Sequence, residues 1–109
     1  MDPASKLEKL EAVKNAISHI KNSEQASPLI REFCDNVNLL VTDLQYDKFE
    51  KIQSWIQIYD VQSNMFILIT TILHPSHLSP DEKNMYKNEI QSITDFIEYA
   101  REYSKKSEE

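Results

Sequence analysis

The 109-residue sequence contains no glycine. Average usage of about 7 % would give roughly seven or eight. A phosphate-cradling loop, a dinucleotide fingerprint, a helix–loop–helix calcium site and a Gly-flanked serine elbow each need a residue without Cβ. That residue either takes φ > 0 or lets a ligand approach the backbone. All four classes are therefore excluded. Cysteine is nearly absent as well. Cys34 stands alone, so no internal disulfide is possible, which fits a reducing compartment.

Long apolar runs and excess positive charge are also missing. The longest uninterrupted apolar stretch is Met65–Ile69, and it reaches only Leu73 when Thr70 and Thr71 are admitted. A membrane-spanning helix needs about 20 residues. Asp2-Pro3-Ala4-Ser5-Lys6 lacks the basic start and apolar stretch of a signal peptide, so a soluble, cytoplasmic or otherwise intracellular protein is expected. Twelve Lys and Arg against 18 Asp and Glu give a formal charge of −6. Nucleic-acid binding depends on cations that displace counterions from phosphates. The densest basic group, Lys83, Lys87, Arg101, Lys105 and Lys106, is interleaved with acids and reads as a solvated surface. No nucleic-acid partner and no membrane insertion are expected.

What is present is helical periodicity. Leu7, Leu10, Val13, Ile17 and Ile20 recur at spacings of three and four and predict a helix over 3–21, with Ser5 and Glu8 as a capping box. Ser27-Pro28 opens a second helix over 28–45, whose stripe is Leu29 or Ile30, Phe33, Val37, Leu40, Val41 and Leu44, with Cys34 beside it. A third is expected over 47–73, with Asp47 and Glu50 in capping roles. Ser79 and Glu82 form the clearest capping box, ahead of a fourth helix over 80–104 with the stripe Tyr86, Ile90, Ile93, Ile97 and Ala100. Residues 105–109 read as a frayed charged tail. No strand survives, so the expected fold is all-α, an antiparallel up-down four-helix bundle in a single domain over 1–104. The third helix would span ~39 Å at 1.5 Å per residue, long for so small a domain, so a kink near 60–64 is expected.

The third helix changes character along its length. Phe49, Ile52, Trp55, Ile56, Ile58 and Tyr59 occupy one half of its circumference, as in a core-facing helix. From Val61 to Leu73 the apolar residues point almost all the way round. Asp60 is the only Asp, Glu, Lys or Arg between Ile52 and Ser79. Either this half is covered and is core, or Val61, Asn64, Ile67, Leu68 and Thr71 form an interface with a partner or a second copy. Trp55 is the best further candidate for that contact, because Trp is frequent at interface hot spots. Tyr59, Tyr99 and Tyr103 are its aromatic companions.

Chemistry-bearing sets are absent. His74 and His77 make half a zinc site at most. The Glu-x-x-His pattern of carboxylate-bridged iron bundles fails, because Ala16, Thr71 and His74 stand three residues before His19, His74 and His77. His19 reads as a partly buried structural histidine and Cys34 as a small core hydrophobe. Glu8/Glu11 and Glu98/Glu102 are solvated faces. No catalytic residue, metal, cofactor or small-molecule substrate is therefore expected, and the chain does not read as an enzyme.

The expected function is protein–protein interaction by a small acidic helical protein of the inhibitor, immunity, antitoxin, anti-defence or adaptor type. The alternative is a structural subunit of a homodimer or larger complex, joined through the second half of the third helix. In helix count, length and lack of cysteine pairs the chain resembles the small immunity proteins that protect bacteria from pediocin-type bacteriocins. That resemblance implies a partner-occluding role and rests on no motif.

Overall fold

The computed structural model describes residues 3–105. Its order is α1 (Pro3–Lys21), α2 (Pro28–Gln45), α3 (Phe49–Ile58), α4 (Val61–Leu73) and α5 (Pro80–Lys105). The described residues are all-helical, with no strand among them. Five helices stand where four were expected, because the segment 47–73 divides into α3 and α4. Asp2 and the tail 106–109 lie outside the described residues, and Lys105 closes α5.

The division falls at Tyr59–Asp60, at the edge of the expected kink. Tyr59 takes an extended conformation, φ −80° and ψ 128°. Asp60 then caps α4, its Oδ1 accepting from the Ser63 N–H at 3.1 Å. One of the free N–H groups at the new helix start thus gains a partner, which offsets part of the cost of the break.

The helix starts otherwise divide between expectation and correction. Ser79 and Glu82 form a reciprocal capping box, Ser79 N–H to Glu82 Oε1 at 3.2 Å and Glu82 N–H to Ser79 Oγ at 3.1 Å. Ser27 caps α2 by accepting from Ile30 N–H at 3.3 Å. Ser5 and Glu8 make no box, because α1 already begins at Pro3 and both lie inside it. Asp47 and Glu50 make none either. Lys48 is the N-cap of α3, with no side-chain hydrogen bond.

Asp47 is committed elsewhere, to the end of α2. It is the one described residue with positive φ, at 55°. Its N–H bonds to Leu44 O at 3.2 Å and the next N–H, of Lys48, reaches back to Asp43 O at 2.8 Å. This pair of bonds is the Schellman closure that usually takes glycine at its left-handed position. Aspartate fills it here. The carboxylate accepts from Lys6 Nζ at 3.0 Å and from the Tyr103 hydroxyl. The α2–α3 corner is thereby tied to the start of α1 and the end of α5.

The core draws on every helix. Val13 and Ile20 of α1, Phe33, Val37 and Leu40 of α2, Ile52 of α3, Leu68 and Ile72 of α4, and Ile93 and Phe96 of α5 are buried. The stripes of α2 and α5 are buried as expected, with Ile30 rather than Leu29 facing inward. Leu7 is an exception on α1, exposed despite its place in the stripe. Cys34 is buried, and desolvation, with the Asp35 charge second, pushes its thiol up to about 11. It stays protonated and acts as a small apolar side chain. Helices α2 and α5 each pack against α1, α3 and α4.

Candidate functional site

The residues expected to meet a partner separate once placed. Leu68 is fully buried, so its assignment to an interface is corrected: it packs in the core with Ile72. Val61 and Ile67 are half-buried and packed against that core. Asn64 and Thr71 are half-buried too, and Asn64 Nδ2 donates to Asp60 O at 2.7 Å across the first turn of α4. The outward side of α4 lies further round the helix. It carries Gln62, Ser63, Phe66, Ile69 and Thr70, with Phe66 68 % exposed.

Trp55 is half-buried at the edge of a groove between α2 and α3. The groove has a volume of about 540 Å³, and its apolar lining is Leu39, Trp55, Ile58 and Tyr59. Asp43, Glu50 and Lys51 supply its charge. Ile58 is 82 % exposed, which corrects its assignment to the core-facing half of the helix. The cause is helix phase: Ile58 lies about 120° round α3 from buried Ile52, so the rotation that buries Ile52 turns Ile58 outward.

The aromatic wall of the groove is held from behind by α2. Trp55 Nε1 donates to Asn36 O at 3.0 Å, and Asn36 Nδ2 donates to the Tyr59 hydroxyl at 3.2 Å. The Trp55 and Tyr59 rings stack at 4.8 Å, and Tyr59 stacks on buried Phe33 at 5.9 Å. Burial raises the Tyr59 hydroxyl above its ordinary value, so it remains a neutral hydrogen-bonding group. Trp55 is thus held in one orientation by α2 and Tyr59. Tyr99 and Tyr103 belong to a different stack, with Phe49, at the α3–α5 contact, so the four expected aromatics do not make one patch.

Sequence reasoning missed Leu39, Ile58 and Asn36. Leu39 lies outside the α2 stripe and immediately before buried Leu40, and that position was the available signal. Asn36 gave none, because its role depends on a tertiary contact.

The remaining polar sets are structural. His19 is exposed rather than partly buried, and its Nδ1 lies 2.6 Å from Glu89 Oε1, joining α1 to α5. Its ring stacks on Tyr86 at 5.3 Å. Burial raises the Glu89 carboxyl above its ordinary range, and the bond to His19 opposes that shift. His74 and His77 are exposed loop residues. Among the described residues no group of three or more His, Cys, Asp or Glu could hold a metal ion. No helix of the described residues is long and apolar enough to cross a membrane. Comparison with protein-family models, curated proteins and solved structures gives no match.

Proposed function

We propose that this chain acts without catalysis, as a small acidic helical protein that binds another protein in the manner of an inhibitor, immunity factor, antitoxin, anti-defence factor or adaptor. The observation that carries this reading is the apolar surface around the α3–α4 division. Ile58 is 82 % and Leu39 59 % exposed beside a preoriented Trp55, on a chain whose charge of −6 otherwise favours contact with water. Aromatic side chains held in place lose little entropy on binding, which is why they anchor interfaces. On this reading α3 and α4 together take the place of one helix of an up-down four-helix bundle, and the division between them frees the end of α3.

A second reading is a homodimer or larger assembly joined through α4. What favours it is the exposure of Phe66 and Ile69 on a helix without a charged residue, a surface on which two acidic copies meet with least repulsion. Sedimentation of the wild type and Phe66→Asp separates the two. A monomer at all concentrations supports the binder. A dimer abolished by Phe66→Asp supports the subunit. The binder itself is tested by affinity capture from the source organism with wild type and Ile58→Asp side by side. Stoichiometric retention of a partner by the wild type alone is expected. Equal retention by both contradicts the proposed surface.

A further inference from the structure

The groove between α2 and α3 has a chemistry that narrows its occupant. We propose that it receives an amphipathic helix from a partner protein, which sets bulky apolar side chains against Trp55 and Ile58 and Lys or Arg against Asp43 and Glu50. The inference rests on reading the chain as a protein binder.

Both walls of the groove are helices, and no strand edge exists among the described residues. An extended segment laid there would gain no sheet hydrogen bonds from either wall. A helix satisfies its backbone internally and presents side chains at intervals of three and four, the helix-in-groove mode. The groove is shallow and open, and its volume of about 540 Å³ leaves room for a few side chains laid against its wall.

The sign of the occupant's charge follows from the rim. Asp43 and Glu50 both line the groove, and neither carboxylate has an ion pair among the described residues, against one cation, Lys51. Asp43 is also half-buried, where solvent screens an incoming cation less than at the open surface. A second copy fits poorly. Docked through α4, it would offer Phe66 and Ile69 but no Lys or Arg anywhere in that helix.

Trp55 is the only tryptophan, so its fluorescence reports the groove directly. The full chain is titrated with three synthetic peptides of about 18 residues, long enough to form a helix. All three share one Leu/Phe stripe. The first is flanked by Lys, the second by Glu, and the third keeps Lys but carries a central proline. The Lys-flanked helix should shift Trp55 emission saturably and bind at least about tenfold more tightly than the Glu-flanked one. Asp43→Asn combined with Glu50→Gln should bring that ratio to about one, and Ile58→Asp should abolish the response. Equal binding of the Lys and Glu peptides overturns the charge assignment, and undiminished binding of the proline peptide overturns the helical occupant. No response to any peptide, or an emission change that follows dimerisation of the protein alone, overturns the whole inference. If a captured partner is lost with Ile58→Asp while no peptide responds, the binder stands and only its helical, cationic ligand falls.

Discussion

Asp47 holds φ 55° at the end of α2 in a chain that has no glycine to put there. A β-carbon in the left-handed region costs on the order of 1 kcal/mol, and aspartate tolerates it better than alanine does. The compensation here is tertiary, through Lys6 and Tyr103, with the Lys6 ammonium 5.1 Å from the Tyr103 ring centroid. Asp47→Ala removes the partners and keeps the strain, whereas Asp47→Gly removes both. In urea unfolding Asp47→Ala should therefore be less stable than Asp47→Gly by about 1 kcal/mol. Equal midpoints would remove the left-handed cap from the account. Hydrogen bonds from Tyr103 first and Lys6 second hold the Asp47 carboxyl below its ordinary 3.8. Its stabilisation is complete above that value and is lost as pH falls through the lower folded value. Glu89 runs in the opposite direction. Burial raises its carboxyl above the ordinary 4.5, so its contribution is complete below 4.5 and declines as pH rises through the raised value. The stability of wild type relative to Glu89→Gln should shrink between acid and neutral pH. A difference that grows over that range would contradict the assignment.

Helix α4 carries its two roles on opposite sides. Leu68 faces the core and Phe66 faces outward, two residues apart. Leu68→Ala should cost about 2–5 kcal/mol, because it deletes fully buried methyl groups and leaves a cavity. Phe66→Asp should change folding stability by less than about 0.5 kcal/mol. Comparable losses from both in thermal unfolding would mean that the helix is rotated from its described position. The extents of α1 and α2, the start of α5, the stripes of α2 and α5 and the Ser79–Glu82 box were legible in the sequence, since each rests on spacing or on local backbone chemistry. The rotation of α4 was not legible, because apolar residues nearly encircle it and periodicity cannot choose a face. The division of 47–73 was legible only in part, and for a weak reason. Length does not force it, since α5 runs unbroken for 26 residues. The local chemistry of Tyr59 and Asp60 supports it. Ile58 lost its expected place because buried Ile52 sets the rotation of α3 and Ile58 lies about 120° from it.

At the scale of the molecule, the described residues fill extents of 49 × 28 × 18 Å, so much of each helix lies near the surface. With 23 apolar residues in the core among the described residues, the exposure of Leu39, Ile58 and Phe66 does not follow from a lack of apolar material inside. Core formation leaves them out: Leu39 and Ile58 line the groove, and Phe66 lies on the outward side of α4. Trp55 lines the groove with Ile58 and Tyr59 of its own segment, and Leu39 and Asp43 meet it from α2 across a tertiary contact that spacing within one helix cannot reveal. On the proposed reading, binding takes place across the groove between α2 and α3. Amide hydrogen exchange of the protein, free and in complex with its captured partner, tests this most directly. Slower exchange is predicted over residues 36–43 of α2 and 50–59 of α3, with α1 unchanged. Protection confined to α1 and the facing part of α5 would contradict it.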